Sequence, residues 1–265
     1  MYESHFGLAQ RPFAETVSPS VYVPLPSHAA ILRRLQYAIV HDHGPAILVG
    51  PPGSGKTLLA RRLASDLCAN PVHLTFPALT PPELLAHLAH EFGDGTAPYP
   101  TLGVALRYLQ SHFALTVQNG QRPFLIVDDA HLISEVTTFD TLQLLLNFAS
   151  TGSPDLALLI VGAPSLLLDL PAGLADRLAA RCILSPLTEA ESADYVTGRL
   201  AASGATETRF SQDALTALYR AALGNPRKLN RLADLALLIA YAQDRTIVDD
   251  AIVRTAAREF QRDAA

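Results

Sequence analysis

Two rhythms of apolar residues run along the chain, and the first gives way to the second near residue 186. In the first part, the apolar runs Ala46-Ile47-Leu48-Val49, Val72-His73-Leu74-Thr75-Phe76, Phe124-Leu125-Ile126-Val127, Leu156 to Val161 and Cys182-Ile183-Leu184 alternate with amphipathic stretches. Short continuous apolar runs separated by helical periods predict strands buried on both faces of a mostly parallel sheet. Between them, Ser27 caps a helix over His28 to Val40, with Ile31, Leu32, Leu35 and Ile39 on one face. Thr80-Pro81-Pro82-Glu83 has capping-box spacing and starts a helix to about Phe92. Further helices are predicted over 101–118 and 134–150, with a short one around Ser165 to Asp169. From Thr188 onward the strands stop, and four helical periods follow: Glu189 to Ser203, Gln212 to Ala222, Pro226 to Ala242 and Asp249 to Phe260. The change of rhythm predicts a core over 1–186 and a smaller all-helical domain over 187–265.

The loop after the first predicted strand carries the chemistry. Gly50-Pro51-Pro52-Gly53-Ser54-Gly55-Lys56-Thr57 has the spacing G-x-x-x-x-G-K-[ST] and leads into a helix at Leu58, which is a phosphate-binding loop in its proper setting. Glycines let backbone N–H groups turn inward around phosphate oxygens, and the helix start adds its positive dipole end. Lys56 would reach the β- and γ-phosphates, and Thr57 would offer its hydroxyl to Mg²⁺. The third apolar run ends in Asp128-Asp129. Ligands of open α/β sheets sit at the carboxyl ends of strands, so these acids should face the same site. Asp128 is read as a Mg²⁺ ligand, directly or through water, in preference to a turn residue. Asp129 either orients the attacking water or caps the helix that follows. Arg177 and Arg181 are expected to precede the last strand.

Composition narrows the setting. A chain of 265 residues that is 49% hydrophobic and 17% charged can bury one large core with a satellite. A net charge of −5 argues against wholesale electrostatic binding to nucleic acid or acidic membranes. Cys68 and Cys182 lie far apart with no C-x-x-C or Cys/His cluster, which argues against a disulfide framework or zinc site and fits a reduced cytosol. The stretch Met1-Tyr2-Glu3-Ser4-His5 lacks the basic and apolar regions of a signal peptide, and the apolar run Leu156 to Leu168 is too short to span a bilayer. A cytoplasmic location is expected, with any membrane reached through a partner. The first segment, with Phe6, Phe13, Tyr22 and Val23, should be an ordered loop packed on the core.

The phosphate loop, the paired acids, the two arginines and the tail Gly224-Asn225-Pro226-Arg227 together resemble an AAA+ ATPase. The opening Phe6-Gly7-Leu8, Arg11-Pro12-Phe13 and Ser27-His28, with Asn230 and Leu232 in the tail, is similar to the ExeA-like family, named after general secretion pathway protein A. The resemblance covers nearly the whole chain. It implies an α/β fold: a three-layer α/β/α core around a central parallel five-stranded sheet, followed by a small helical lid. It also implies ATP and Mg²⁺ as cofactors and a nucleotide-dependent homo-oligomer. Arg227 would be the arginine that reports γ-phosphate to the lid. Arg181, or Arg177, would act as a finger into a neighbouring subunit, unless Arg177 is only part of a solvated helix face. Pro226 and the segment near Tyr22-Val23 would flank the adenine, or serve as plain core.

Departures from the family pattern matter as well. The second acid is usually glutamate; Asp129 is one methylene shorter, and a shift of about 1 Å can cost about a hundredfold in rate. Gly162-Ala163-Pro164 places an alanine where a polar residue is common, with Ser165 or Asn147 as candidate substitutes. His131 has a coupling role or simply bonds backbone at a helix start. Three functions follow: an oligomeric Mg-ATPase that remodels a partner in secretion or envelope assembly, a slowly hydrolysing nucleotide switch, and a transposition-type DNA-targeting ATPase. The third would use Arg220, Arg227, Lys228 and Arg231 as phosphate contacts.

Overall fold

The computed structural model describes residues 2–14, 22–41, 44–67, 71–93 and 101–263. The elements in order are α1 (Pro26–Val40), β1 (Ala46–Val49), α2 (Lys56–Asp66), β2 (Val72–Leu74), α3 (Pro81–Phe92), α4 (Leu102–Gln118), β3 (Phe124–Val127), α5 (Val136–Leu145), β4 (Ala157–Gly162), α6 (Leu166–Asp169), α7 (Ala172–Ala175), β5 (Ala180–Ile183), α8 (Glu189–Ala202), α9 (Gln212–Ala222), α10 (Pro226–Ala242) and α11 (Asp250–Asp263). They fall into two compact units. A sheet unit comprises Ala30–Gly50 and Leu59–Leu184; a helical unit comprises Met1–Ala29, Pro51–Leu58 and Ser185–Ala265.

In the sheet unit, five parallel strands lie in the order β2-β3-β4-β1-β5, which is the expected parallel five-stranded sheet. Every residue of β1, β3 and β4 is buried, as the continuous apolar runs require of a sheet covered on both faces. Ile47, Val49, Leu125, Val127, Leu158 and Ile160 share one core with Leu84, Leu88, Leu109 and Phe113 from α3 and α4. The capping box of α3 is present, with Glu83 accepting from the Thr80 backbone N–H at 2.9 Å and the hydroxyl at 2.7 Å. Arg122, just ahead of β3, donates to the carbonyls of Ile39, Pro154 and Leu156, tying three segments at the amino end of the sheet.

Three expectations are corrected. The last strand begins at Ala180, so Arg181 lies inside β5 rather than before it; on this edge strand Ala180 and Cys182 are buried while Arg181 and Ile183 face out, leaving no apolar run to mark its start. The helix expected over 134–150 is shorter, Val136–Leu145: the N–H groups of Leu146, Asn147 and Phe148 donate three residues back, to Gln143, Leu144 and Leu145, and this tightened last turn ends the helix. Ser27 is not the cap of α1: the helix starts at Pro26, and the Ser27 N–H donates to Glu191 at 3.0 Å.

In the helical unit, α8 to α11 bury Val196, Leu218, Leu229, Leu237 and Ile252 in one cluster, which also takes Tyr2, Phe6, Leu8 and Phe13 from the first segment. Residues 2–14 of that segment pack within the helical unit; 15–21 lie outside the described residues. The Arg199 guanidinium, buried on α8, holds it by donating to the carbonyls of Pro12 at 2.8 Å and Ala14 at 3.1 Å. Tyr2 and Arg11 both bond Asp234 of α10. Cys182 is a buried free thiol; Cys68, and all of the loop expected over Gly93 to Pro100 except Gly93, lie outside the described residues.

Candidate functional site

The phosphate loop is built with the helical unit. Its first residue, Gly50, closes β1 by donating to Gly162 at 3.2 Å. From Pro51 the chain turns, with Ser54 N–H bonded to Pro51 O at 3.2 Å. Lys56 is buried and donates from Nζ to Pro51 O at 3.1 Å, so its ammonium is folded against the loop it serves. Ser54 is buried too, and its Oγ has no partner among the described residues. Thr57 and Leu58 are half-buried in the first turn of α2.

The start of α10 rests on this loop. Asn225 caps the helix by accepting the Lys228 N–H at 3.2 Å, and its amide donates to Pro52 O at 2.8 Å. Arg227 N–H donates to Gly53 O at 3.2 Å. Gly53 has φ +78°, and a Cβ there would fall 2.8 Å from Arg227 Cβ and 2.9 Å from Asn225 Oδ1, so no larger residue fits under α10. Pro226 is buried at the first helical turn, where its missing N–H does no harm; the Arg227, Lys228 and Arg231 side chains face outward. Gly224 has φ +69°, and a Cβ on it would lie 2.1 Å from Leu187 O, whose N–H in turn donates to Gly224 O at 2.9 Å. This contact locks the turn before α10 to the chain entering α8.

The acids sit at the carboxyl edge of the sheet unit. Asp128 continues the ladder through its N–H to Leu74 O, and its side chain is nearly buried. One carboxylate oxygen accepts the Asp129 N–H at 3.0 Å, and the other lies 3.3 Å from His73 Nε2 on β2. Asp129 adopts the left-handed conformation, with φ 47° and ψ 35°, and its side chain is 54% exposed. It makes no capping hydrogen bond, which removes the helix-cap reading. His131 accepts the Ala163 N–H on Nδ1 at 3.4 Å and lies 4.0 Å from Asp129 Oδ1. The backbone-bonding reading of His131 therefore holds, and the contact reaches the end of β4.

The two arginines differ. Arg177 donates to Asn147 Oδ1 at 2.9 Å, so Asn147 already has a partner within the unit. Arg181 projects from the edge strand and donates to Ala175 O at 2.9 Å.

A family model described as an AAA domain matches residues 40–168, the span from the end of α1 through the phosphate loop, the acids and β4. Over that span the chain carries an AAA domain. This AAA chain is also similar to general secretion pathway protein A of Aeromonas hydrophila, 32% identical over 253 residues, which is 92% of the chain and 45% of that protein. It thus spans about half the length of that curated relative. Among solved structures it resembles Cdc6p from Pyrobaculum aerophilum, with TM-score 0.73, 23% identity, and 97% and 70% of the two chains covered. The ORC2 protein of Aeropyrum pernix, solved in ADPNP–ADP complexes, matches with TM-score 0.70, 17% identity, and 94% and 71% covered. These two likenesses show the fold. The expected resemblance to the ExeA-like AAA+ family is borne out.

Sequence reasoning missed His73 in this AAA domain. Its signal was a lone histidine inside the apolar run Val72 to Phe76, in register with Ile126 and two residues short of Asp128 on the neighbouring strand. The capping box at Thr188, where Glu191 accepts the Thr188 N–H at 3.2 Å, was also legible from T-x-x-E and was passed over.

Proposed function

We propose that the chain is a Mg²⁺-dependent ATPase of the cytoplasm that assembles with copies of itself on ATP and uses turnover to remodel a partner in secretion or envelope assembly. The observation that carries the nucleotide part is the contact of α10 with the phosphate loop, through Asn225 to Pro52 and Arg227 to Gly53. A helix whose first turn bonds the loop backbone changes position when the loop takes up phosphate, and this couples nucleotide to the helical unit. Similarity to general secretion pathway protein A supports the choice of partner.

In this reading, the N–H groups of the loop from Gly50 to Thr57, with Leu58 behind them, hold the phosphates, and Lys56 leaves Pro51 O to reach the β- and γ-oxygens. The Thr57 hydroxyl and the Asp128 carboxylate are hard oxygen donors that suit Mg²⁺, and among the described residues no cluster of three or more His, Cys, Asp or Glu could cage a metal alone. That donor set fits an ion completed by water and phosphate. Bound there, Mg²⁺ would neutralise charge developing on the transferred phosphoryl. Asp128 is held by two contacts and is poised to bind; Asp129 is exposed and left-handed, and it orients the attacking water. Arg227 senses the γ-phosphate, with buried Pro226 beside the base. Arg181, outward on an edge strand, serves a neighbouring copy.

Nucleotide binding followed by titration calorimetry tests the site. Lys56→Ala is expected to weaken Mg-ATP by more than about tenfold with an unchanged melting temperature, and Arg227→Ala to weaken ATP more than ADP. Unchanged ATP affinity in Lys56→Ala would remove the site.

A further inference from the structure

His73 is a polar residue in the middle of an apolar strand, and its place follows from register. Val72 and Leu74 are buried in the cluster that β2 shares with α3 and α4, so the side chain between them points to the opposite face of the sheet. On β3 the register partner of His73 is Ile126, and Asp128, two residues further on, lies on that same face. The ladder runs on far enough to set the pair side by side, since the Asp128 N–H donates to Leu74 O at 2.9 Å. His73 Nε2 then meets Asp128 Oδ2 at 3.3 Å, the two side chains being 15% and 6% exposed.

An ionised carboxylate only accepts, so this contact places the ring proton on Nε2. The other oxygen, Oδ1, accepts the Asp129 N–H at 3.0 Å. That backbone donor is present whatever residue stands at 129, whereas the donor at Oδ2 is a side chain from another strand. Donors on both oxygens fix the plane of the carboxylate. Each oxygen keeps a further lone pair, so the group can still hold a cation.

Two effects of the His73 bond oppose each other. A donor draws charge from the carboxylate and weakens its pull on a cation. It also satisfies an oxygen that is nearly out of water and keeps the group in one orientation. Orientation decides for Mg²⁺, which demands near-octahedral geometry and gives up its waters reluctantly, so a ligand free to turn loses more than the donor takes.

We propose that His73 is a positioning residue for Asp128: by holding Oδ2 it sets how tightly the site takes Mg²⁺, without touching the ion or the nucleotide. The inference rests on the reading of Asp128 as a Mg²⁺ ligand and adds a determinant of metal affinity that lies outside both the phosphate loop and the paired acids.

The test is calorimetric titration of ATP into the full chain, in EDTA and over a series of free Mg²⁺ concentrations, with His73→Leu, His73→Gln, Asp128→Asn and Lys56→Ala alongside. Leucine removes the donor; glutamine returns an N–H at the reach of Nε2. His73→Leu, folded by circular dichroism, is expected to raise the Mg²⁺ concentration that half-tightens ATP binding by about 10- to 100-fold. Its affinity for ATP in EDTA should stay within about twofold of native, and His73→Gln should keep a Mg²⁺ requirement within about threefold of native. His73→Val, a strand former, takes the place of the leucine variant if that one does not fold. A Mg²⁺ requirement within about threefold of native in the apolar variant would overturn the proposal. So would an equal rise in His73→Gln, or a matching loss of affinity in EDTA. Failure of the underlying reading looks different: the native chain would bind ATP no better than Lys56→Ala, or Asp128→Asn would keep the native Mg²⁺ requirement.

Discussion

The sheet unit and the helical unit place their polar side chains by different means. In the sheet unit, strand register does it: Asp128 follows a fully buried strand, and its carboxylate is fixed by a neighbour on β2 and by the next backbone N–H. In the helical unit, turns and helix starts do it: Asn225 caps α10 and bonds the phosphate loop with one side chain, and Gly224 seats the turn against Leu187. A register is redundant, since many ladder bonds share the load. A turn depends on single atoms, so one methyl group can undo it.

That contrast is breakable. Gly224→Ala forces a Cβ into backbone at 2.1 Å with φ +69°, so it should cost about 4 kcal/mol in denaturant melts. Gly162→Ala, at the end of β4, meets the tip of the Leu166 side chain at 2.7 Å, which can move, and should cost only about 1 kcal/mol. Equal losses would erase the distinction. A comparable single point in the sheet unit is Arg122, whose guanidinium serves the carbonyls of Ile39, Pro154 and Leu156. Arg122→Ala leaves those carbonyls unpaired and should cost about 2–3 kcal/mol by the same melts; a loss under about 0.5 kcal/mol would show that the sheet holds its amino edge without it.

The smallest effect is a pH dependence in the helical unit. His28 is held neutral by burial, with its pKa below the usual 6.5. Its contribution is complete above the unfolded pKa and is lost as pH falls from there toward the folded value, where the unfolded chain binds the proton first. The native chain should therefore lose stability as pH falls below the unfolded pKa of about 6.5, beyond what His28→Phe loses. Parallel curves for the two would remove His28 as the cause.

How much was legible follows the same division. All five strands showed as apolar runs, but the run Cys182-Ile183-Leu184 misplaced the start of β5, since the outward-facing Arg181 interrupts the apolar pattern and was left outside the strand. The places of the Gly50–Thr57 loop, between β1 and α2, and of Asp128, after β3, were legible because both signals are local in sequence. His73 was not, because its partner lies 55 residues away across a register. Likewise Arg199 holds the first segment across 187 residues, which no local pattern could announce, although the buried aromatics showed that the segment must pack somewhere. The lengths of α8, α9 and α10 were legible to within a residue, because caps and amphipathic periods are short-range, whereas α5 ends five residues before the expected end. The 3₁₀ turn after Asp129 was not, since it follows from a left-handed aspartate, which residue preferences do not predict.

The most direct measurement follows phosphate release and mass by light scattering together, on the native chain and on Lys56→Ala and Asp129→Glu, with Mg-ATP. The account predicts release that requires Lys56, rises as copies assemble, and increases in Asp129→Glu, where the longer side chain brings the carboxylate nearer the attacking water. Assembly and release that are the same in Lys56→Ala as in the native chain would contradict it.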